Sequence, residues 1–582
     1  MAEVPSRKEK LVAASEAGSL LEAVYSACRD ERREQDDLAL DLADLHNNGL
    51  VDIFAEFTKL EVNASSGIDF FITRRIFEKS LPHVHASVDC VMRTVLHLFR
   101  CAGQDGAAGS IFAGYINFCA KDSQRPREAL KLIEADPNQF ADMLPATIHA
   151  GSLIDNSHYL EAAIRLSQHS EKVFRQRAIT AMSHLHWQNG SRVPDSLITA
   201  LEKSCHEADE VIQAAVIKTA YTLYQQDNTL ELRIISLIGD ALSKGNDLTL
   251  EEASMLFACH ANEIPMPLKD ILLRGLIRVN PKHHVLLKNI DYGLTCLLQQ
   301  CDNEKALLFL EELLLMHPQS LSIRLFATTA EYIRSDTALL SRVMTRWFLN
   351  GSPVLGQSVN EMGATHHGED LLIDIDTTQL QQNDSVRIVF IARKAIGYFF
   401  LQPVTAASIV ISLMRYASDE KALEELAQLL FDPLLLSYPG CVGDYVKAQC
   451  PSEAGQVKEQ LKKVLSTITC YLDKLAGVPS LPALHPSQTQ RESYRRYFSD
   501  LTAVSFRAAE KESLLSLICT KQTLLYGRKS IYFQHTAAGK TTRMEAPLLS
   551  NSVEIETPRM DPIDPYGLDF ILRVFRAEHI CQ

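Results

Sequence analysis

The sequence predicts an all-α chain, an array of antiparallel helix pairs followed by a small α/β cap at the C-terminus. Three observations carry this. A helix-turn-helix rhythm recurs from about Ser80 to Ala476 with hardly a strand between. Only 25 Gly and 22 Pro are spread over 582 residues, so helices run with few breaks. Within the rhythm, apolar residues return at i, i+3, i+4 and i+7, the spacing of one helix face. A chain this long exceeds one compact core, and its length suggests three or four domain-sized units or one extended array.

Residues 1–80 are expected to be a helical entry region. The charge-dense stretch Asp30 to Asp44 gives way to the apolar run Leu50-Val51-Asp52-Ile53-Phe54, a solvated helix face followed by a buried one. Residues 81–349 carry the helix pairs, clearest between Ser170 and Ser243. One helix begins at Val173-Phe174-Arg175-Gln176-Arg177-Ala178-Ile179, and another about 38 positions later at Val211-Ile212-Gln213-Ala214-Ala215-Val216-Ile217. Their partners align too, Leu197 to Leu201 against Leu237 to Ala241, and turns such as Gln188-Asn189-Gly190 and Lys244-Gly245-Asn246 close the units. A two-helix unit at this period resembles the HEAT and armadillo class of α-solenoid repeats. The resemblance is architectural, covers about half the chain, and implies a scaffold without assigning any functional residue. Ser322 to Ala327 looks like a further second helix.

The rhythm stops at residues 350–384, a Gly-, Gln- and Asp-rich loop insertion with a short alternating strand pattern at Leu372 to Asp376. Helices resume over 385–476. Residues 477–487 form a Pro-rich joint, the best domain boundary. Beyond it, 488–582 hold a basic-aromatic helix, strands at Ser530 to Phe533 and Val553 to Glu556, and a terminal helix from Gly567 to Ala577. That helix places Leu568, Ile571, Leu572 and Phe575 on one face, as a cap closing the open end of the array.

The net charge of −14 argues against nonspecific duplex DNA binding over the whole surface, because phosphate attraction needs a positive field. The 13 cysteines include no C-x-x-C pair. Cys28, Cys90, Cys119, Cys259, Cys296 and Cys470 sit in apolar helical patterns as small hydrophobes, which fits a reducing compartment. The N-terminus lacks the apolar core of a signal peptide, so a cytoplasmic location is expected. Ala395 to Met414 is uncharged over twenty residues. Gln402, Pro403, Thr405, Ser408 and Ser412 favour two buried helices joined at Leu401-Gln402-Pro403 over a membrane span.

No complete catalytic, cofactor or metal motif is present, and no cofactor is expected. His535 to Thr542 ends like a P-loop but has Gln534 where the first glycine belongs, and it reads as a hairpin loop. Gly103-x-x-Gly106-x-x-Gly109 follows a helix, Gly356 to Asn360 lacks a nucleophile elbow's last glycine, and His206 to Glu210 is one ligand short of the helical zinc motif. His184-Leu185-His186-Trp187 and His283-His284 sit at helix ends. The best-formed metal candidate is His366, His367, Asp374 and Asp376, whose imidazoles and carboxylates at short separation suit a divalent ion. The nucleic-acid candidate is Arg491, Tyr494, Arg495, Arg496, Lys529, Lys540 and Arg543, cations with an aromatic among them.

The leading expectation is a non-enzymatic scaffold that binds a protein partner within an assembly, through apolar anchors at the ends of repeat helices and an acidic rim. The alternatives are an accessory nucleic-acid-binding subunit using 490–543 and a metal-dependent hydrolase centred on 366–376. A membrane partner is not expected, and the oligomeric state stays open.

Overall fold

The computed structural model describes residues 6–30, 35–62, 67–103, 105–187, 192–207, 209–300, 303–363, 370–380, 384–479, 487–512, 529–535, 541–547, 556–561 and 563–580. These are overwhelmingly helical, and the fold class is all-α. The internal contacts separate the chain into two compact units, Met1–Tyr332 and Ile333–Gln582.

The first unit opens with α1 (Arg7–Glu16), α2 (Leu20–Asp30), α3 (Gln35–Asn47), α4 (Ile53–Phe57) and α5 (Phe70–Ser80). In α3 the charged residues face outward, Asp41 pairing with Arg7 and Asp44 with Lys8, while Leu38, Leu42 and Leu45 are buried. There follow α6 (Val88–Ala102), α7 (Ile111–Ala120), α8 (Gln124–Ala135), α9 (Pro137–Phe140), α10 (Leu144–Ser152) and α11 (Asn156–Leu166). The regular part comprises α12 (Lys172–Ser183), α13 (Asp195–Cys205), α14 (Glu210–Gln226), α15 (Glu231–Lys244), α16 (Asp247–Cys259), α17 (Met266–Leu276), α18 (His284–Gln299) and α19 (Asn303–Met316). Here α10, α12, α14, α16 and α18 each pack on the next, and α11, α13, α15 and α17 form a second, looser series.

Aspartate starts many of these helices. Asp52, Asp69, Asp155, Asp209, Asp336 and Asp419 each accept backbone N–H groups of the first turn that otherwise lack a partner. Part of the acidic balance is therefore capping chemistry. Cross-helix polar contacts set the register. Thr219 donates to the Ile179 carbonyl at 3.0 Å, and Asn289 to Ser254 Oγ at 3.1 Å. The buried Asp291 carboxylate accepts the N–H groups of Thr328 and Thr329, so one helix caps the start of α20 (Ala327–Ser335). Gly293 presses on the Phe257 ring, leaving no room there for a side chain.

The second unit contains α21 (Thr337–Asn350), α22 (Pro353–Gly363), α23 (Ser385–Phe399), α24 (Pro403–Tyr416), α25 (Glu420–Leu429), α26 (Cys441–Gln449), α27 (Gly455–Ala476) and α28 (Gln488–Glu512). An antiparallel hairpin follows, β1 (Lys529–His535) with β2 (Thr541–Pro547), registered Lys529 to Pro547 and His535 to Thr541. The last helix is α29 (Pro565–Ala577), and its main contacts are with α22 and α23.

Several expectations need revision. Residues 350–384 are not all loop: Pro353 at the first helical position, with Leu355, Val359 and Met362 buried, makes α22. The alternation at Leu372 to Asp376 is real, with Ile373 and Ile375 buried, but among the described residues the segment pairs with no strand. Of Ser322 to Ala327, Ile323–Leu325 form only a 3₁₀ turn, and Ala327 is the first residue of α20. The partner of β1 is β2; Val553–Ile555 lie outside the described residues, and Glu556 is not in a strand. Cys28, Cys119 and Cys296 are buried as expected, yet Cys90 is half-buried and Cys259 and Cys470 face solvent, because they fall on the outer sides of their helices. The uncharged run Ala395 to Met414 is divided between α23 and α24, and no helix among the described residues is long and apolar enough to cross a membrane.

Candidate docking site

The starts of α12, α14, α16 and α18 are tied directly to one another. Lys172 Nζ meets Asp209 at 2.6 Å, Thr249 donates to the Glu210 carbonyl at 3.3 Å, and His283 Nε2 lies 2.9 Å from Asp247. Burial pushes the Asp209 carboxyl up, but the Lys172 charge and the N–H groups of Ile212 and Val211 outweigh it and hold the group below its ordinary value. Four first turns thus lie side by side.

In those turns stand Val173, Val211, Leu248 and Val285, at steps of 38, 37 and 37 residues along the chain. Val173 is 56%, Leu248 43% and Val285 60% exposed, and Val211 is half-buried. Two turns further along, Met255 and Tyr292 repeat the pattern on α16 and α18, both exposed. A Val or Leu this exposed forgoes part of the ~1.5–3 kcal/mol that full burial supplies. Single exposed hydrophobics are ordinary; a row at equivalent positions of stacked helices is a patch. Glu210, Glu251 and Glu252 border it. Burial first, and then the neighbouring Glu251 charge, raise the Glu252 carboxyl above its usual range against the pull of Lys218. The helix starts at Val173 and Val211 are legible in the sequence; Leu248 and Val285 needed only the same step carried twice further.

The sequence-derived metal candidates are placed as follows. His366 and His367 lie outside the described residues. Asp374 is exposed and paired with Arg415 at 3.3 Å. Asp376 accepts from the Thr378 N–H and hydroxyl and from Gln379, with Arg342 at 3.7 Å. Burial pushes its carboxyl up, yet those donors and Arg342 carry it below the ordinary value. The segment around them is held through its backbone. Ile373 N–H donates to Ser408 Oγ, Ile375 N–H to Ser412 Oγ and Asp376 N–H to Thr345 Oγ1, at 3.1, 2.9 and 3.0 Å. Ser408 and Ser412, one turn apart on α24, thus stand in for a neighbouring strand. Among the described residues, no three His, Cys, Asp or Glu side chains gather to hold a metal ion.

Of the basic-aromatic set, Arg491, Arg495 and Arg496 are exposed on the first turns of α28, with Arg491 and Arg495 on one face. Arg543, on β2, pairs with Glu545 at 2.6 Å. The side chains of Tyr494 and Lys529, and all of Lys540, lie outside the described residues. The near-miss motifs resolve into ordinary structure. Gly103, at φ +61°, ends α6; Gly356 to Asn360 lie inside α22; Glu207 pairs with Arg175 at 2.5 Å. His184 offers its carbonyl to His149, and burial first, then His149, lowers its own imidazole pKa.

The terminal helix that the sequence predicts is held by contacts that the sequence does not reveal. Residues 556–561 and 563–580 return onto α22–α26. The Glu556 carboxylate accepts the N–H groups of Gly440 and Cys441 at 3.0 and 2.7 Å. Arg576 Nε donates to the Gly397 carbonyl, and the buried Lys394 Nζ to the Arg576 carbonyl, both at 2.6 Å. Gly397 admits this approach, since a Cβ there would lie 3.1 Å from Phe575 Cβ and 3.2 Å from the Arg576 nitrogen. Burial lowers the Lys394 pKa, against the opposing pull of Glu578. No known family model matches the chain, and no curated protein matches it.

Proposed function

We propose that the chain is a non-enzymatic helical-repeat scaffold of the α-solenoid kind, and that it holds a protein partner against the row Val173, Val211, Leu248 and Val285. The observation that supports this is the recurrence of aliphatic side chains, three exposed and one half-buried, at equivalent first-turn positions of four helices tied start to start. Helices packed at ~8–10 Å spread such a row over ~25–30 Å. That span suits an elongated partner segment and gives no enclosed space for a small substrate. Glu251 and Glu252 beside Leu248 favour a segment with Lys or Arg at that point, since opposite charge at a rim steers association, while Lys218 and Lys288 stand beside its neighbours in the row. The chain's net charge of −14 acts in the same direction.

The test is co-purification from the native cell with the intact chain, compared with Leu248→Glu combined with Val285→Glu. Both side chains face solvent, so the variant keeps its fold, checked by circular dichroism and melting temperature. A partner retained by the intact chain and reduced at least ~tenfold on the variant supports the reading. A partner retained equally by both overturns it.

A further inference from the structure

Little apolar surface holds the segment made of residues 556–561 and 563–580 to its unit. Of its described side chains only Leu568 and Leu572 are buried, whereas α23 and α24 bury eleven residues each. A cleft of about 310 Å³ stays open beside α29, lined by Tyr398, Phe400 and Leu401 of the body and by Pro565, Leu568 and Leu572 of the segment. The anchors are polar and stand at the two ends. At the first, Glu556 accepts the Gly440 and Cys441 N–H groups, and the Arg559 N–H donates to the Ser437 carbonyl at 2.8 Å. At the second, Arg576 meets Gly397 and Lys394, and Glu578 meets Arg393 at 2.9 Å. Glu556 and Arg576 are exposed, so water competes for their bonds. Between the anchors α29 is stiffened locally. Asp564 caps it by accepting the Gly567 N–H at 2.9 Å, Pro565 opens it, and Asp569 pairs with Arg573 one turn on.

We propose that this segment is a releasable strap, which opens as one piece while the rest of its unit stays folded and which covers the Cys441 thiol when closed. Segments with few buried apolar contacts and exposed hydrogen bonds are the ones that open below the free energy of global unfolding. The stiff helix between the anchors makes the opening a single event, because loss of one anchor loads the other. The first anchor lies on Cys441 itself. Burial first, and then the hydrogen bond and charge of Glu556, push the Cys441 thiol up to about 12. The closed strap therefore keeps this thiol protonated and inert. With the strap open the carboxylate is gone, and Cys441 stands in the first turn of α26, a position that favours the thiolate. Release of the strap is thereby turned into thiol reactivity. The strap is distinct from the first-turn row, and neither inference depends on the other.

Labelling of the full chain with N-ethylmaleimide, read cysteine by cysteine through peptide mass mapping, tests this. Cys450, buried at the other end of α26, reports unfolding of the unit. In the intact chain Cys441 is expected to react ahead of Cys450 and with a shallower dependence on urea, because opening the strap exposes less surface than unfolding the unit. Leu568→Ala with Leu572→Ala, far along the chain from both thiols, is expected to raise the Cys441 rate at least ~tenfold and to leave Cys450 unchanged. Arg576→Ala acts in the same direction and replaces the double variant should that one lower the yield of folded protein. Equal rates and equal urea slopes for Cys441 and Cys450 overturn the proposal. So does a Cys441 rate that the leucine and arginine substitutions leave unchanged. A Cys450 rate that rises together with that of Cys441 overturns it too, since the unit then opens as a whole.

Discussion

In Met1–Tyr332 the repeat helices find their neighbours one repeat along the chain, whereas in Ile333–Gln582 decisive contacts join residues 115–185 positions apart. The difference teaches where surface is left over. A stack built by repetition buries each helix against the next and exposes the same position again and again, so a row such as Val173 to Val285 accumulates. The second unit uses part of its surface to receive its own C-terminal segment, and what it leaves open is the far side of that segment.

The largest effect expected from breaking this contrast falls on the second unit. Ser408→Ala with Ser412→Ala strips the partners from the buried Ile373 and Ile375 N–H groups, for about 1–3 kcal/mol each in a denaturant titration. Amide exchange is expected to rise at 371–376 while α12–α18 keep their protection.

Next comes Gly397→Leu, which forces a side chain into the space held by Phe575 and the Arg576 backbone. Overpacking of this kind costs about 1–3 kcal/mol. Limited proteolysis should then cut within 556–580 and leave the first unit intact.

Asp209→Ala addresses the repeats instead. It removes a helix cap and the Lys172 pair, for about 1–2 kcal/mol at neutral pH. The folded Asp209 carboxyl lies below its ordinary value, so its contribution is complete above that value and is lost as pH falls through the lowered one. The gap between wild type and variant in melting temperature is therefore expected to be constant near neutrality and to narrow only in acid, below about pH 4.

The smallest effect on stability is expected at the row itself. Leu248→Glu changes unfolding free energy by no more than about 0.5 kcal/mol, because the side chain already meets solvent.

Much of the helical framework was legible because its contacts are local or periodic. Apolar spacing marks α12 and α14, Pro403 marks the break between α23 and α24, and the 38-residue step gives the first two members of the row. What was not legible depends on contacts that pattern alone does not encode. Ser408 and Ser412 look like ordinary polar residues in an apolar run, and only the extended backbone beside them explains their hydroxyls. Gly397 looks like a weak point in a helix until Arg576 is seen against it. The alternation at Leu372 to Asp376 suggested a strand because an extended backbone shows period two whether its N–H groups meet a strand or serines. The outer side of α29 is hidden in the sequence for a related reason: a helix with two apolar sides reads as one apolar face with scatter.

Photo-crosslinking along the row tests the central claim most directly. A photoreactive residue is placed in turn at Val173, Val211, Leu248 and Val285, and at Leu232 on α15, which is 83% exposed but belongs to the other helix series. The account predicts one protein captured from all four row positions and not from Leu232. Capture as strong from Leu232 as from the row, or capture from a single row position only, would contradict it.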